Sequence, residues 1–327
     1  MASPNLSEVA TTSLRNRTKK LADNVMNNNA LLYRLRERGN VRPFDGGRTI
    51  LEELYYAENS TYTRYSGYDV LDITPQDVIT AAEYDIKQVA VSVSMSGLEM
   101  IQNSGSERVI DWLGARVDNA ETSMMNGMSD DCYSAGTASA GKQIGGLQLL
   151  VGDTPTSGTI GGIVANTWPF WQNISFDATT DGGAPVSAAN IQSYMNRVAV
   201  QLVRGKDRPD LIIADNNYYR AYLESLQAIQ RITSDTMAKA GFTSLKYLGA
   251  GGDSDVVLDG GIGGGCPTNH MYFLNTKYLA LRPFSGRDME VIGDDRYSVN
   301  QDAMVRIVGW AGNMTTRGRK FQGVLKD

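Results

Sequence analysis

The 327 residues predict an α+β fold, and three observations carry that reading. A single apolar stripe runs through residues 104–134 at helical spacing. Strand-like alternation is clear at 87–96 and again near 303–313. Between them, a helix–strand–helix run over residues 187–229 describes a compact α/β layer.

The arm comes first. Residues 1–45 are polar and Asn-rich, with one short helical patch, NALLYRLRERG, stopped by Gly39. Leu31, Leu32 and Leu35 make a stripe too narrow to form a core unaided, so this reads as an arm that needs a partner surface. The arm carries eight basic and four acidic side chains, so the remainder holds −9 of the net −5. A surface gripping duplex DNA along its length would be basic, because affinity there comes from phosphate neutralisation. This chain is not. An acidic neighbouring protein surface is the preferred partner of the arm.

Residues 46–96 read as a long two-stranded excursion. RTILEEL is its first leg. The second is Lys87–Ser96, with Lys87, Val89, Val91, Val93 and Met95 on one face. Legs of about twenty extended residues would span up to about 70 Å. Such a ribbon is marginal alone in water and must lie on something. Between the legs, LEELYYAENSTYTRYSGYDV holds five of the sixteen tyrosines: Tyr55, Tyr56, Tyr62, Tyr65 and Tyr68. They sit among charges and turn formers, where a core would be poorest. A tyrosine offers a large apolar body with a polar tip, which suits an interface. The segment is expected to bury itself against another copy.

The best helix follows. Ser104 and Glu107 have capping-box spacing, and Ile110, Leu113, Val117, Ala120 and Met124 form its stripe. Residues 135–187 read as short strands and loops around an aromatic knot at Trp168, Phe170 and Trp171. The next helix buries Ile191, Met195, Val198 and Leu202. The strand LIIA (211–214) comes after it, and Asp215 caps a second helix through Tyr218, Tyr222, Leu226 and Ile229. A glycine-rich link, 249–265, leads to strands MYFLN and YLALR, and AMVRIVGWAGN is the last strong strand.

No motif supports an enzyme. GTASAGKQ (136–143) matches a phosphate-binding loop until Gln143, where Ser or Thr should hold magnesium, and it follows a helix rather than a strand. GGIGGGC (260–266) has Cys266 where a dinucleotide loop needs its third glycine. His270 has no acid or nucleophile tied to it by spacing. The acids of GDD (293–295) and NQD (300–302) read as turn formers. Cys132 and Cys266 are too few for a disulfide framework or a cysteine zinc site and read as buried thiols. No cofactor and no metal is expected. No apolar run is long enough to span a bilayer, so no membrane partner is expected. The amino terminus lacks the apolar core of a secretory signal, and folding in a cytosol is the default.

The order of these elements, with HMYFLNTKYLALRPF and NQDAMVRIVGWAGNMTTRGRKFQGVL at the carboxy end, resembles the major capsid proteins of tailed phages, the Hong Kong 97-type fold. The resemblance implies an arm (1–45), an extended loop (46–96), and a peripheral domain with a spine helix (97–186). An axial domain (187–284), a return to the peripheral domain (285–314) and a tail (315–327) complete it. It implies self-assembly into hexamers and pentamers of an icosahedral shell around double-stranded DNA, which is held by weak non-specific contact. Portal, scaffolding and decoration proteins are the other implied partners, in a virion capsid assembled in the host cytoplasm. The arm begins almost at once, so a separate scaffolding protein, or none, is expected.

The implied intersubunit contacts are Tyr55, Tyr56, Tyr62, Arg64, Tyr65 and Tyr68 on the loop, and Leu31, Leu32, Leu35 and Arg36 on the arm. Arg306 is a further ion-pair candidate. Some relatives crosslink a loop lysine to a neighbour, but 55–75 contains no lysine, so no such crosslink is expected. A cell-encoded nanocompartment of the same fold, a tail-tube subunit and a nucleotide-binding enzyme built on 136–143 are the alternatives.

Overall fold

Among the described residues, two large sheets and two two-stranded hairpins make up the β-structure, and each large sheet takes in a carboxy-terminal strand. The computed structural model describes residues 29–102, 106–226, 244–249, 252–260, 265–293, 296–297 and 302–327. Its first elements are α1 (Ala30–Glu37), β1 (Thr49–Tyr55), β2 (Ile79–Asp85), β3 (Lys87–Ser96), α2 (Gly97–Gln102) and α3 (Ser106–Asp131). Then come α4 (Leu147–Leu150), β4 (Thr159–Ile160), β5 (Ile163–Val164), β6 (Ile174–Asp177), α5 (Ile191–Leu202), β7 (Leu211–Ala214) and α6 (Asn216–Ser225). The remaining strands are β8 (Ser244–Gly249), β9 (Gly252–Leu258), β10 (His270–Leu274), β11 (Leu279–Pro283), β12 (Glu290–Val291), β13 (Arg296–Tyr297), β14 (Ala303–Thr316) and β15 (Gly323–Lys326).

The five-stranded sheet is organised by β14. Along one edge it pairs antiparallel with β3, from Ala303↔Ser96 to Gly312↔Lys87. Its other edge takes β13, β12 and β11 in succession. From Val308 onward every β14 residue is buried, as expected of a strand covered on both faces. This corrects the expected two-stranded excursion. The alternation in Lys87–Ser96 identified its inward face correctly, since Val93 and Met95 are buried. Its partner, however, is β14. The hairpin is made instead by β1 and β2, in register from Thr49↔Asp85 to Tyr55↔Ile79. Seven-residue legs span about 24 Å, not 70 Å.

The six-stranded sheet runs β6-β15-β10-β7-β9-β8. Period two divides its residues between two cores. Ile212 and Ala214 face α5 and α6, whereas Leu211 and Ile213 face the main core shared with α1 and the five-stranded sheet. Asp215 caps α6 as expected, its carboxylate accepting from Tyr218 N at 3.0 Å. The helical reading through Ile229 extends beyond Leu226, outside the described residues. The supposed glycine-rich link contains β9, whose short apolar run Val256–Leu258 was hidden between glycines. Leu279–Pro283 pairs into the five-stranded sheet and Ile174–Asp177 into the six-stranded one.

Helix α3 is 26 residues, about 39 Å. Val117, Met124 and Met128 are buried along its stripe. Ser104 and the side chains of Glu107, Ile110 and Leu113 lie outside the described residues. Where α3 ends, Gly146 threads past it: Gly146 N donates to Ser134 O at 3.1 Å and Leu147 N to Cys132 O at 2.8 Å. A Cβ on Gly146 would lie 2.6 Å from the Cys132 carbonyl carbon, against backbone that cannot yield. Gly146→Ala is expected to cost about 3 kcal/mol, read as a lowered urea midpoint of the subunit.

Candidate interaction surface

The tip of the β1–β2 hairpin is built by local turns rather than by strand pairing. The Asn59 side chain accepts from Thr61 N at 3.0 Å, Asp69 from Ser66 N at 2.9 Å and Asp72 from Thr74 N at 2.9 Å. Each turn satisfies its own backbone, and Pro75 has no N–H to give a ladder. The last rung beyond the strands is Tyr56 N to Val78 O at 3.1 Å. Past it the side chains face outward: Tyr62 is 80% exposed, Tyr65 65%, Val70 96% and Ile73 91%, and Tyr68 is fully exposed. Of the fourteen large hydrophobic residues exposed among the described residues, eight lie from Tyr55 to Ile79. An apolar set of this size, continuous in sequence, marks a surface for another molecule. Arg64 lies exposed within it.

Tyr56 behaves differently from the other loop tyrosines. It is half-buried against Trp168 and Phe170, at ring-centroid distances of 6.0 and 5.9 Å. The wall they form stands on the small hairpin β4–β5, whose Gly161 and Gly162 both have positive φ, as a tight two-residue turn requires. Gly161 lets this hairpin close on β2: its O accepts from Glu83 N at 2.9 Å, and an added Cβ would lie 2.9 Å from Ala82 Cβ. A groove of about 410 Å³ results, lined by Tyr56, Ile79, Val164, Trp168 and Phe170 among others.

The arm residues lie elsewhere. Leu31, Leu32 and Leu35 are fully buried in the chain's own main core, so the partner surface they need is supplied in cis. This corrects their reading as intersubunit contacts. Residues 40–45 run beside β11 as an added parallel segment, with Arg42 N donating to Leu281 O at 2.9 Å and Phe44 N to Pro283 O at 3.0 Å. Arg34 is buried between Glu37, Asp210 and Asp255, at 2.7, 3.4 and 3.2 Å. Burial opposes its charge, but the hydrogen bond to Glu37 and the two aspartates raise its pKa above the ordinary arginine value. Arg36 is exposed on α1. Arg306 is buried, which removes it from the exposed ion-pair candidates.

The carboxy-terminal motif proves to be a set of anchors. Asn313 accepts from Gly145 N at 3.0 Å and donates to Asp85 O at 2.8 Å, tying β14 to two distant turns. Gln322 exchanges two hydrogen bonds with the Asn275 backbone, at 2.8 and 3.0 Å. Arg319, fully buried, donates to Leu150 O, Trp171 O and Asn173 Oδ1, each at 2.8 Å. Burial pushes its pKa down to about 10, yet it stays protonated at neutral pH. No spacing rule in the sequence signals these contacts, because every partner is more than 40 residues away.

At 136–143 a short turn carries Ser139 and Ala140 at positive φ, and Gln143 donates to Asp131 at 2.8 Å. It neither follows a strand nor opens a helix of useful length, so it lacks the setting of a phosphate loop. Cys132 and Cys266 are free and buried, their thiols pushed up by desolvation. Of the other motifs, residues 261–264, Asp294, Asp295, Asn300 and Gln301 lie outside the described residues. Among those described, no group of three or more potential ligands could hold a metal, and no helix is long and apolar enough to cross a membrane.

His270 does have an acid, supplied by the fold. Its Nε2 lies 3.2 Å from both oxygens of Asp153, and its Nδ1 2.8 Å from Thr268 O. Both ring nitrogens therefore face acceptors, which favours the imidazolium. Burial would lower the His270 pKa, but Asp153 and the Thr268 carbonyl raise it overall. The same hydrogen bond lowers the pKa of Asp153. The histidine contribution is complete below its unfolded value of about 6.5 and lost as pH rises through the higher folded value. The aspartate contribution is present above about 3.9 and lost as pH falls through the lower folded value. Stability from this pair should therefore peak between about pH 4 and 6.5, by less than about 1 kcal/mol because Asp153 is partly exposed. His270→Asn should flatten that maximum in thermal unfolding followed across pH.

No family model matches the chain and no curated protein matches it by sequence. Solved structures do match, over almost its whole length. A chain of the cyanophage A-1(L) capsid asymmetric unit is 18% identical, with TM-score 0.64 over 89% of this chain and 92% of that one. The capsid of Myoviridae phage XM1 gives 14% identity and TM-score 0.51 over 89% and 91%. The holo-SrpI encapsulin complex from Synechococcus elongatus gives 10% and 0.51 over 90% and 86%. Identity this low speaks for architecture. The chain has the Hong Kong 97-type fold, the α+β architecture of capsid and encapsulin shells.

Proposed function

We propose that this chain is the major capsid protein of a tailed phage, assembling as hexamers and pentamers into an icosahedral shell around double-stranded DNA. The observation that carries this is the fold match to phage capsids over 89% of the chain. The hairpin tip, whose large apolar side chains stand mostly exposed on the chain itself, supports it. On this reading the role is structural and non-enzymatic. The five-stranded sheet with α3 forms the peripheral domain, the six-stranded sheet with α5 and α6 the axial domain, and the β1–β2 hairpin the extended loop. Tyr55, Tyr62, Arg64, Tyr65 and Tyr68 lie at contacts between copies, and Arg36 at the edge of the arm. Portal, scaffolding and decoration proteins are the partners beyond the chain itself. DNA is met weakly, as an acidic chain requires. The protein resides in the virion capsid after assembly in the host cytoplasm.

The test is expression of the chain, alone and with its neighbouring genes, followed by size-exclusion chromatography and negative-stain electron microscopy. Closed shells or capsomer-sized rings are expected. An inert monomer at high concentration under both conditions would sink the reading. A cell-encoded nanocompartment is the second reading, favoured by the encapsulin match. Cargo separates the two: nucleic acid inside purified native particles for a capsid, an enclosed protein for a nanocompartment.

A further inference from the structure

We infer that the charged cleft between the end of α1, the 204–210 turn, the paired strands β8 and β9 and the 275–278 turn is an anion site that takes phosphate groups. It is a feature of the single chain and does not depend on the shell reading.

The chain is acidic overall, yet this cleft gathers cations from four separate stretches: Arg34 and Arg38, Lys206 and Arg208, Lys246, and Lys277. Its volume is about 580 Å³, within the ordinary range of ligand sites. Every side chain that lines it is charged except Asn275, so it offers nothing to an apolar ligand.

Five carboxylates share the cleft, and depth and pairing decide the sign of its field. Asp210 accepts from Thr276 N and Thr276 Oγ1, both at 2.7 Å, and stands 3.2 Å from Arg38. Asp255 and Glu37 both accept from Arg34, at 3.2 and 2.7 Å. Asp207 accepts from Lys277 Nζ and from the Tyr278 hydroxyl, each at 2.8 Å. The side chains of Asp210 and Asp255 are 16% and 10% exposed, those of Arg38 and Lys277 51% and 60%. Satisfied acids form the floor and cations the rim. Asp253 is the one acid well exposed at the rim, shared by Arg208 at 3.6 Å and Lys246 at 3.4 Å.

Lys206 tips the balance. It stands on a tight turn closed by Arg204 N donating to Asp207 O at 2.8 Å and Asp207 N to Arg204 O at 2.9 Å, with Gly205 at positive φ. Lys206 is exposed and has no ion-pair partner among the described residues. Its full charge at the mouth is therefore uncompensated. Two further cations extend the rim. Arg204 lies 5.9 Å from the centre of the Phe321 ring, and Arg317 donates to Lys277 O at 3.0 Å. Guanidinium forks match phosphate oxygens, and a polyanion can meet several of these cations at once where a lone carboxylate cannot.

The experiment titrates inorganic tripolyphosphate and a short DNA duplex into the full, unassembled chain by calorimetry. Binding is expected at low salt and should weaken as salt rises. Lys206→Glu should weaken it tenfold or more with an unchanged thermal midpoint, because the side chain is exposed and unpaired. Lys142→Glu, which reverses an exposed lysine outside the cleft, should leave binding as it was. A bound duplex that tripolyphosphate displaces would identify nucleic-acid backbone as the source of the phosphates. Tripolyphosphate binding without duplex binding would identify a free polyphosphate. Both results uphold the site. No binding of either probe at low salt, or a Lys206→Glu chain that binds like the parent, would overturn it. Poly-glutamate binding as tightly as tripolyphosphate would overturn it too, by making the surface a dock for acidic protein.

Discussion

Arg319→Met is expected to destabilise the folded subunit by about 3 to 5 kcal/mol, measured as the shift of its urea unfolding midpoint. Two terms compete. Removing a buried cation that has no carboxylate partner among the described residues relieves its desolvation cost, the cost that depresses its pKa. Against this, three acceptors that now share one planar donor lose it together. They cannot turn away. Leu150 O and Trp171 O are backbone, and the Asn173 side chain is held by its amide donating to Gly152 O at 2.8 Å. An unsatisfied buried acceptor costs about 1 to 3 kcal/mol, so three outweigh the relief. Arg319→Lys should recover little, because one ammonium cannot reproduce a fork aimed at three separate oxygens. A loss below about 1 kcal/mol in both variants would mean that water or repacking satisfies the site.

The combined change Tyr62→Ser, Tyr65→Ser and Tyr68→Ser should leave the fold intact and abolish assembly. These rings are exposed in the isolated chain, so their removal opens no cavity and the thermal midpoint should move by less than a degree or two. Each ring is worth about 2 kcal/mol when buried at about 25 cal/mol per Å². Three rings per contact therefore carry about 6 kcal/mol, a factor of about 10⁴ in the affinity of one copy for the next. Sedimentation velocity of the variant at concentrations where the parent forms particles should show monomer alone. Particles at the parental concentration would mean that the tip carries no assembly energy.

How much of this was legible in the sequence depends on the kind of information each residue holds. The inward face of β3, the Val117 and Met124 positions of the stripe on α3 and the cap at Asp215 all follow from local period and spacing, and each is found in the fold. The tyrosine segment was legible as a surface because its rings stand among turn formers that cannot build a core. The pairing of β3 was not, because an alternating strand states which face is buried and nothing about which strand lies beside it. Leu31, Leu32 and Leu35 misled for a related reason. A narrow stripe demands a partner surface, but it does not say whether that surface belongs to the same chain. His270 looked solitary because Asp153 lies 117 residues away.

By itself, then, the sequence determined the α+β class, the order of elements and the aromatic segment with no core of its own. It could do so because backbone propensity and hydrophobic period act over a few residues. Only the tertiary structure decided that β14 gathers the hairpin's neighbours into one sheet, that the arm helix is buried in cis and that Arg319 closes the tail on three oxygens. Those outcomes depend on which distant surfaces fit together, and no local pattern encodes that fit.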